Sequence, residues 1–185
     1  MAIYVILQIM PAIRFLIFSV LLLALDVRFA MAGLSEDQIK SAYVLNFINF
    51  AEWPAGATAD NNVTLCVVGN NVLGGMLSTL DGSIEGKRKL HVVQYSSADS
   101  KLNRCQVVFI GESEQRHFVS IIKSLDAAPV LTISDIEDFA EKGGDIGLRY
   151  RDDKIVFEIN LVSVQKSRLR LPGQLLLLAS YVFGG

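Results

Sequence analysis

Two short runs, VTLCVVG at residues 63–69 and CQVVFIGES at residues 105–113, carry almost no polar alternation. A strand with one face in water alternates polar and apolar side chains. A run that does not alternate buries both faces, as strands do in a parallel sheet covered by helices on both sides. RKLHVVQYS at 88–96 and APVLTIS at 128–134 read as two further strands. Helical patterns lie between them. VLGGMLSTLDG follows the first strand as a short helix, and EQRHFVSIIKSL at 114–125 sets Phe118, Ile121, Ile122 and Leu125 on one face. Alternation of this kind predicts an α/β fold: a mostly parallel sheet flanked by helices, a Rossmann-like three-layer sandwich.

The first helix opens at SEDQ, where the Ser35 hydroxyl and the Gln38 side chain form a capping-box pattern. It is predicted over 36–51, because Pro54 disfavours helical backbone at Trp53. Ile39, Tyr43, Phe47 and Phe50 recur as one apolar stripe, and Val44 and Ile48 as a second. One stripe packs on the sheet. The other is either sandwiched inside the domain or offered to a second copy or another protein. Aromatic side chains are favoured anchors in interfaces, which makes Tyr43, Phe47, Phe50 and Trp53 the candidate partner-binding residues. Farther on, SDIE, opening at Ser134, is a second capping-box pattern and predicts a helix ending at EKGGD, where Gly143 and Gly144 permit positive φ. IGLRYRDDKIVFEIN at 146–160 reads as an antiparallel hairpin about Asp152 and Asp153. Asn160 is expected to satisfy backbone groups at its exit. A last amphipathic helix is predicted from about 172 to 182, with Pro172 in its first turn.

Residues 1–32 stand apart. Arg14 precedes an apolar run from Phe15 to Leu25, and Ala30 and Ala32 make a small-x-small cleavage pattern. The run is short for a membrane span, which needs roughly 20 residues. The segment reads as a signal peptide cleaved after Ala32, with an uncleaved anchor as the competing reading and Met10 as an alternative start. The expected organisation is a signal peptide at 1–32 and one domain at 33–185, placed in the periplasm. Of 17 basic and 19 acidic residues, the leader removes two and one, leaving a balance of -3. Exactly two cysteines are present, Cys66 and Cys105. In an exported chain an even count reads as a disulfide, against the alternative of two buried thiols. The loop closed, of about 40 residues, corresponds to roughly 4 kcal/mol in the chain-entropy account. If the first and third strands are neighbours, in the order 2-1-3-4, the two α-carbons come within bridging distance.

The sequence carries little chemistry. A net charge of -2 with no interleaved basic and aromatic residues gives no case for nucleic acid. His91 and His117 have no partner at metal-ligand spacing, so no metal or other cofactor is implied. No nucleophile elbow and no phosphate-binding lysine motif occur. GNNVLGGML, after the first strand, has glycines but lacks the spacing and the lysine of a phosphate loop. Strand ends of open sheets do bind small ligands, which marks Asn70 and Asn71 as weak ligand-binding candidates. Glu112, Glu114, Asp135, Glu137 and Asp138 sit at predicted helix starts, where dipole and capping roles account for them. Arg149 and Arg151 read as solvent-face charges of the hairpin.

The leader followed by IKSAYVLNFINFAEWP resembles the opening of the YfiR-like periplasmic proteins, with Lys40, Ala42, Tyr43, Asn46, Phe47, Phe50, Trp53 and Pro54 on the family pattern. CQVVFIGESE, PVLTISDIEDFAEKGGDIGL and KIVFEINLVSVQKSRLRLPGQLLLLA match in order, so the resemblance spans nearly the whole chain after the leader. It implies an α/β sandwich that tends to dimerise. It also implies a non-enzymatic repressor that binds the periplasmic sensor region of an inner-membrane diguanylate cyclase and lowers cyclic-di-GMP, and with it biofilm and exopolysaccharide. An outer-membrane lipoprotein that binds peptidoglycan draws such repressors away. Two departures stand out: Pro172 and Gly173 replace a Ser-Ser pair, and a second cysteine pair found in some members is absent. The reading from another class is a periplasmic small-molecule sensor feeding a membrane kinase or cyclase.

Overall fold

In the computed structural model, which describes residues 34–58, 61–85, 88–96 and 101–185, the two unalternating runs lie side by side near the middle of one sheet. They form β1 (Asn62–Val68) and β4 (Val107–Ile110), paired in parallel with Cys66 opposite Val108. β3 (Arg88–Tyr95) flanks β1 on the other side, and β5 (Leu131–Ser134) flanks β4, both parallel. The order 2-1-3-4, the condition for bridging the two cysteines, is therefore met as β3-β1-β4-β5. A two-residue β2 (Ile84–Glu85) lies antiparallel on the β3 edge. On the β5 side follow β6 (Ile146–Arg151), β7 (Lys154–Asn160) and β8 (Tyr181–Phe183). β6 and β7 are the predicted hairpin, and Asp152 (φ 50°) and Asp153 (φ 59°) supply the left-handed pair its two-residue turn requires. The leader, its cleavage point and the Met10 start lie outside the described residues.

The lack of alternation has its cause in two separate cores. Leu65, Val67, Phe109 and Ile133 point to one face, where they meet Val44, Phe47 and Ile48 of α1 (Glu36–Phe50). Cys66, Val68, Val108 and Ile110 point to the other, against Phe118 and Ile121 of α2 (Phe118–Ser124), with Ile136 and Phe139. This is the three-layer arrangement. The bond between Cys66 and Cys105 is formed, with the α-carbons 6.0 Å apart. At the start of α1 the Ser35 hydroxyl accepts from Gln38 N–H and the Gln38 side chain accepts from Ser35 N–H, so the capping box is complete.

Four local expectations are corrected. Residues Val72–Leu80 form tight 3-10 turns instead of an α-helix, because Leu73, Gly74 and Gly75 all hold positive φ. The helix expected over 114–125 begins only at Phe118, after a 3-10 turn at Glu112–Glu114. SDIE caps no helix. The Ser134 hydroxyl donates to the Ile110 carbonyl on β4 and accepts from Ile136 N–H, and turns follow up to residue 143. Gly143 has φ 106°, but Gly144 serves packing: a Cβ there would lie 2.1 Å from the Phe139 ring. Finally, the C-terminal helix is two elements. α4 (Gly173–Leu178) has Pro172 as its N-cap, and after the extended Ala179 the chain pairs β8 in parallel with β7. α3 (Leu161–Lys166), absent from the sequence reading, is capped by Asn160, whose side chain accepts from Ser163 N–H and donates to the Ala140 carbonyl.

Candidate functional site

The strand-end loops that carry Asn70 and Asn71 border a crevice of about 630 Å³ at the carboxyl ends of β1, β4 and β5, closed on one side by the start of α1. β1 is joined outward to β3 while β4 lies on its other flank, so the crevice sits at the switch point of the sheet, where open α/β sheets hold ligands. Gly111 lets the two loops approach: a Cβ there would lie 2.5 Å from Val72. Asn70 N–H donates to the Ser113 hydroxyl at 3.0 Å, and Asn71 takes the left-handed conformation. The charges are Glu36, Asp37, Glu112 and Asp135 around Lys40. Lys40 bonds Glu36 at 2.7 Å and Asp135 at 3.0 Å. Burial pulls the Lys40 amine down, but these two carboxylates outweigh it and its pKa is raised. Four carboxylates against one engaged amine repel phosphate, so the glycine loop is no anion cradle. Lys40 was legible as an inward residue, since it stands four residues before Val44 on the same stripe.

The aromatic candidates of α1 separate. Phe47 is 0% exposed, which corrects its assignment as a partner contact: its ring packs against Phe157 at 5.1 Å and Tyr43 at 5.9 Å. Tyr43 is half-buried and donates to the Ile155 carbonyl. Trp53 is also half-buried; its indole N–H donates to the Gln106 carbonyl at 3.2 Å, and the Arg88 guanidinium lies 5.0 Å above its ring. Phe50 alone of the four is open to solvent, at 45%. Its neighbours on the exposed face are Ala42, Asn46 and Asn49, so both apolar stripes of the helix are largely spent inside the domain. Arg88, which the sequence reading passed over, donates to the carbonyls of Ile48, Asn49 and Ala51 and closes the helix.

Apolar side chains more exposed than Phe50 lie elsewhere. Leu177 (87%) and Leu178 (72%) on α4, and Tyr181 (57%) on β8, stand in solvent beside the edge of the sheet. A helical run of four leucines, 175–178, turns through more than one face, so some must point outward; that signal was present in GQLLLLAS. Leu175 is the buried one. Arg149 is not a free solvent-face charge: it bonds Glu137 at 3.0 Å and Asp138 at 3.2 Å, which explains those two carboxylates in place of a helix start. His91 pairs with Asp81 and His117 with Glu114, on separate elements. Among the described residues no three His, Cys, Asp or Glu side chains gather to hold a metal ion, and no helix is long and apolar enough to cross a membrane.

Fold and surface together define a disulfide-bonded, three-layer α/β domain on a mostly parallel sheet. The family described as YfiR/HmsC-like matches residues 37–180, and the chain belongs to that family. Among solved structures it is similar to a conserved domain protein of Vibrio cholerae, at a TM-score of 0.56 and 9% identity over 81% of this chain and 61% of that one. It is also similar to an ABC domain of Streptococcus pneumonia solved in complex with L-Trp, at 0.52 and 10% over 65% of this chain and 56% of that one. The chain thus spans about three fifths of the first and just over half of the second, and the likeness is one of fold.

Proposed function

We propose that this chain is a periplasmic, non-enzymatic repressor of cyclic-di-GMP signalling. It binds the periplasmic sensor region of an inner-membrane diguanylate cyclase and lowers its output, and an outer-membrane lipoprotein that binds peptidoglycan competes for it. The observation that carries the reading is the family match over 37–180, a family whose members regulate such cyclases. Three features support it. The Cys66–Cys105 bond suits an oxidising compartment. The exposed Leu177, Leu178 and Tyr181, on the edge strand and the helix just before it, suit a protein partner or a second copy in a homodimer. Phe50 adds a smaller contact on α1.

The test is genetic and physical. Deleting the gene is expected to raise cellular cyclic-di-GMP and exopolysaccharide, and the purified chain to capture the periplasmic region of the cyclase. Unchanged cyclic-di-GMP in the deletion strain, or turnover of a metabolite by the purified chain, would overturn the reading.

A further inference from the structure

The chain leaves α3 through an arginine in a place that suits glycine. Arg168 holds φ 57°. Its N–H donates to the Gln165 carbonyl at 2.9 Å, and the Leu169 N–H to the Val164 carbonyl at 3.1 Å. This is the Schellman ending, whose left-handed residue is usually glycine because a Cβ is strained there. What the arginine adds is a guanidinium bordering a hollow of about 590 Å³. Buried Leu169 and Leu171, with half-buried Leu161 and Leu176, give the hollow an apolar lining. Arg170 borders it too, because exposure alternates over residues 168–171: the two leucines turn inward and the two arginines outward. Neither arginine side chain has an ion pair or hydrogen bond among the described residues. Glu52, the one carboxylate in the lining, meets Arg170 through backbone bonds, and its charge acts on Arg88.

We propose that this hollow receives an acidic, apolar segment of a partner protein: an aliphatic side chain enters it, and carboxylates flanking that side chain bond Arg168 and Arg170. On the repressor reading, on which this rests, the segment belongs to the periplasmic region of the cyclase. Two guanidiniums without counter-ions repel a basic partner, and each presents a fork that a carboxylate fits with two bonds. Exposed ion pairs are weak by themselves. The affinity therefore comes from the apolar side chain leaving water, and the arginines set the choice of partner. A lipid surface is disfavoured by shape, since a flat bilayer does not fill a concave hollow. Leu177 and Leu178, next along α4 from Leu176, are exposed and extend the contact past the rim.

Fluorescence anisotropy on the purified chain tests this with three labelled octapeptides that alternate leucine with glutamate, glutamine or lysine. The glutamate peptide is expected to bind saturably at one site, the glutamine peptide at least fivefold more weakly and the lysine peptide not at all. Raising the salt to 1 M, where the screening length falls to about 3 Å, should weaken the glutamate peptide at least threefold. Arg168→Gly separates the residue's two roles. It relieves the left-handed strain, so the melting temperature should hold or rise, while the glutamate peptide weakens at least threefold. Arg168→Glu combined with Arg170→Glu should abolish that binding and also capture of the cyclase's periplasmic region. A glutamate peptide that does not bind, that binds no better than its glutamine counterpart, or that binds the double variant unchanged overturns the proposal. So does binding to phosphatidylglycerol vesicles, or self-association in sedimentation, that the double variant abolishes while peptide binding survives. Cyclase capture undiminished in the double variant overturns the proposal and leaves the repressor reading standing. Peptide binding as expected, with no cyclase capture by the unaltered chain, overturns the repressor reading and leaves the acidic-segment site standing.

Discussion

Lys40 and Asp145 are two buried charges handled in opposite ways. Lys40 has two carboxylates within 3.0 Å, and its charged form is favoured over burial. Removing it leaves Asp135, one of whose oxygens already lacks a partner, uncompensated. Lys40→Met is therefore expected to cost about 3 kcal/mol, read by urea unfolding, since breaking one side of a buried pair strands the other. Asp145 pairs with no cation among the described residues, and burial pushes its carboxyl up to about 6 against an ordinary 3.8. A carboxyl raised in the folded state contributes stability below its unfolded pKa, and that contribution is lost as pH rises through the folded value. The window here is about pH 4 to 6, and two units correspond to roughly 3 kcal/mol at most. Asp145→Asn should thus melt higher than the unaltered chain at pH 7.5 and show no such gain at pH 4. Equal melting differences at the two pH values would mean that the carboxylate is not penalised by burial.

Among the elements, α1 shows why one helix can be apolar on two sides and still leave little for a partner. Its stripes face the sheet and the neighbouring turns, and its exposed face carries Asn46 and Asn49. No basic residue lies in its last turn. The cation that a helix C-terminus favours comes from β3 instead, as Arg88, which holds three terminal carbonyls and covers Trp53. Arg88→Ala should destabilise by about 2 kcal/mol, as expected for lost charged hydrogen bonds, with Trp53 fluorescence shifting in the folded state. Arg88→Lys should recover under half of this, because an ammonium group cannot match the guanidinium fork. A stability loss below about 0.5 kcal/mol for Arg88→Ala would assign the helix end to solvent rather than to this side chain.

Residues 35–185 form a sheet stapled across its middle. Cys66 on β1 and Cys105 before β4 are separated by 39 residues in sequence, and their bond spans the two central parallel strands. Cys66→Ala should cost about 2–4 kcal/mol, and a reductant should lower the melting temperature of the unaltered chain toward that of the variant without affecting the variant itself. A reductant effect of the same size on both would refute the staple's role. At the far edge, α4 and β8 present the exposed Leu177, Leu178 and Tyr181. Leu177→Glu is expected to leave the melting temperature within a degree or two while weakening cyclase capture at least tenfold; undiminished capture would move the interface elsewhere, to the Phe50 face or beyond.

What was legible in the amino-acid order rests on short-range causes. Unalternating runs told of strands buried on both faces, SEDQ of a capped helix, and the Asp152–Asp153 pair of a tight hairpin, because each effect is decided within a few residues. The cysteine pairing came instead from an even count in a chain read as exported, and the strand order was named only as the condition under which the two α-carbons meet. The failures share the opposite cause. Ser134 was free, as far as its neighbours show, to cap a helix, but the Ile110 carbonyl on an adjacent strand took its hydroxyl. Residues 181–183 continued a helical pattern until pairing with β7 drew them into the sheet. Arg88 found the end of α1, and Asp145 found Thr132, only across 37 or more and 13 residues of chain respectively. The order of residues determined which segments were strands, helices and turns wherever local backbone preference was strong. The tertiary structure alone decided who received each hydrogen bond and which apolar side chains stayed in water, because both depend on groups that meet only once the chain has folded.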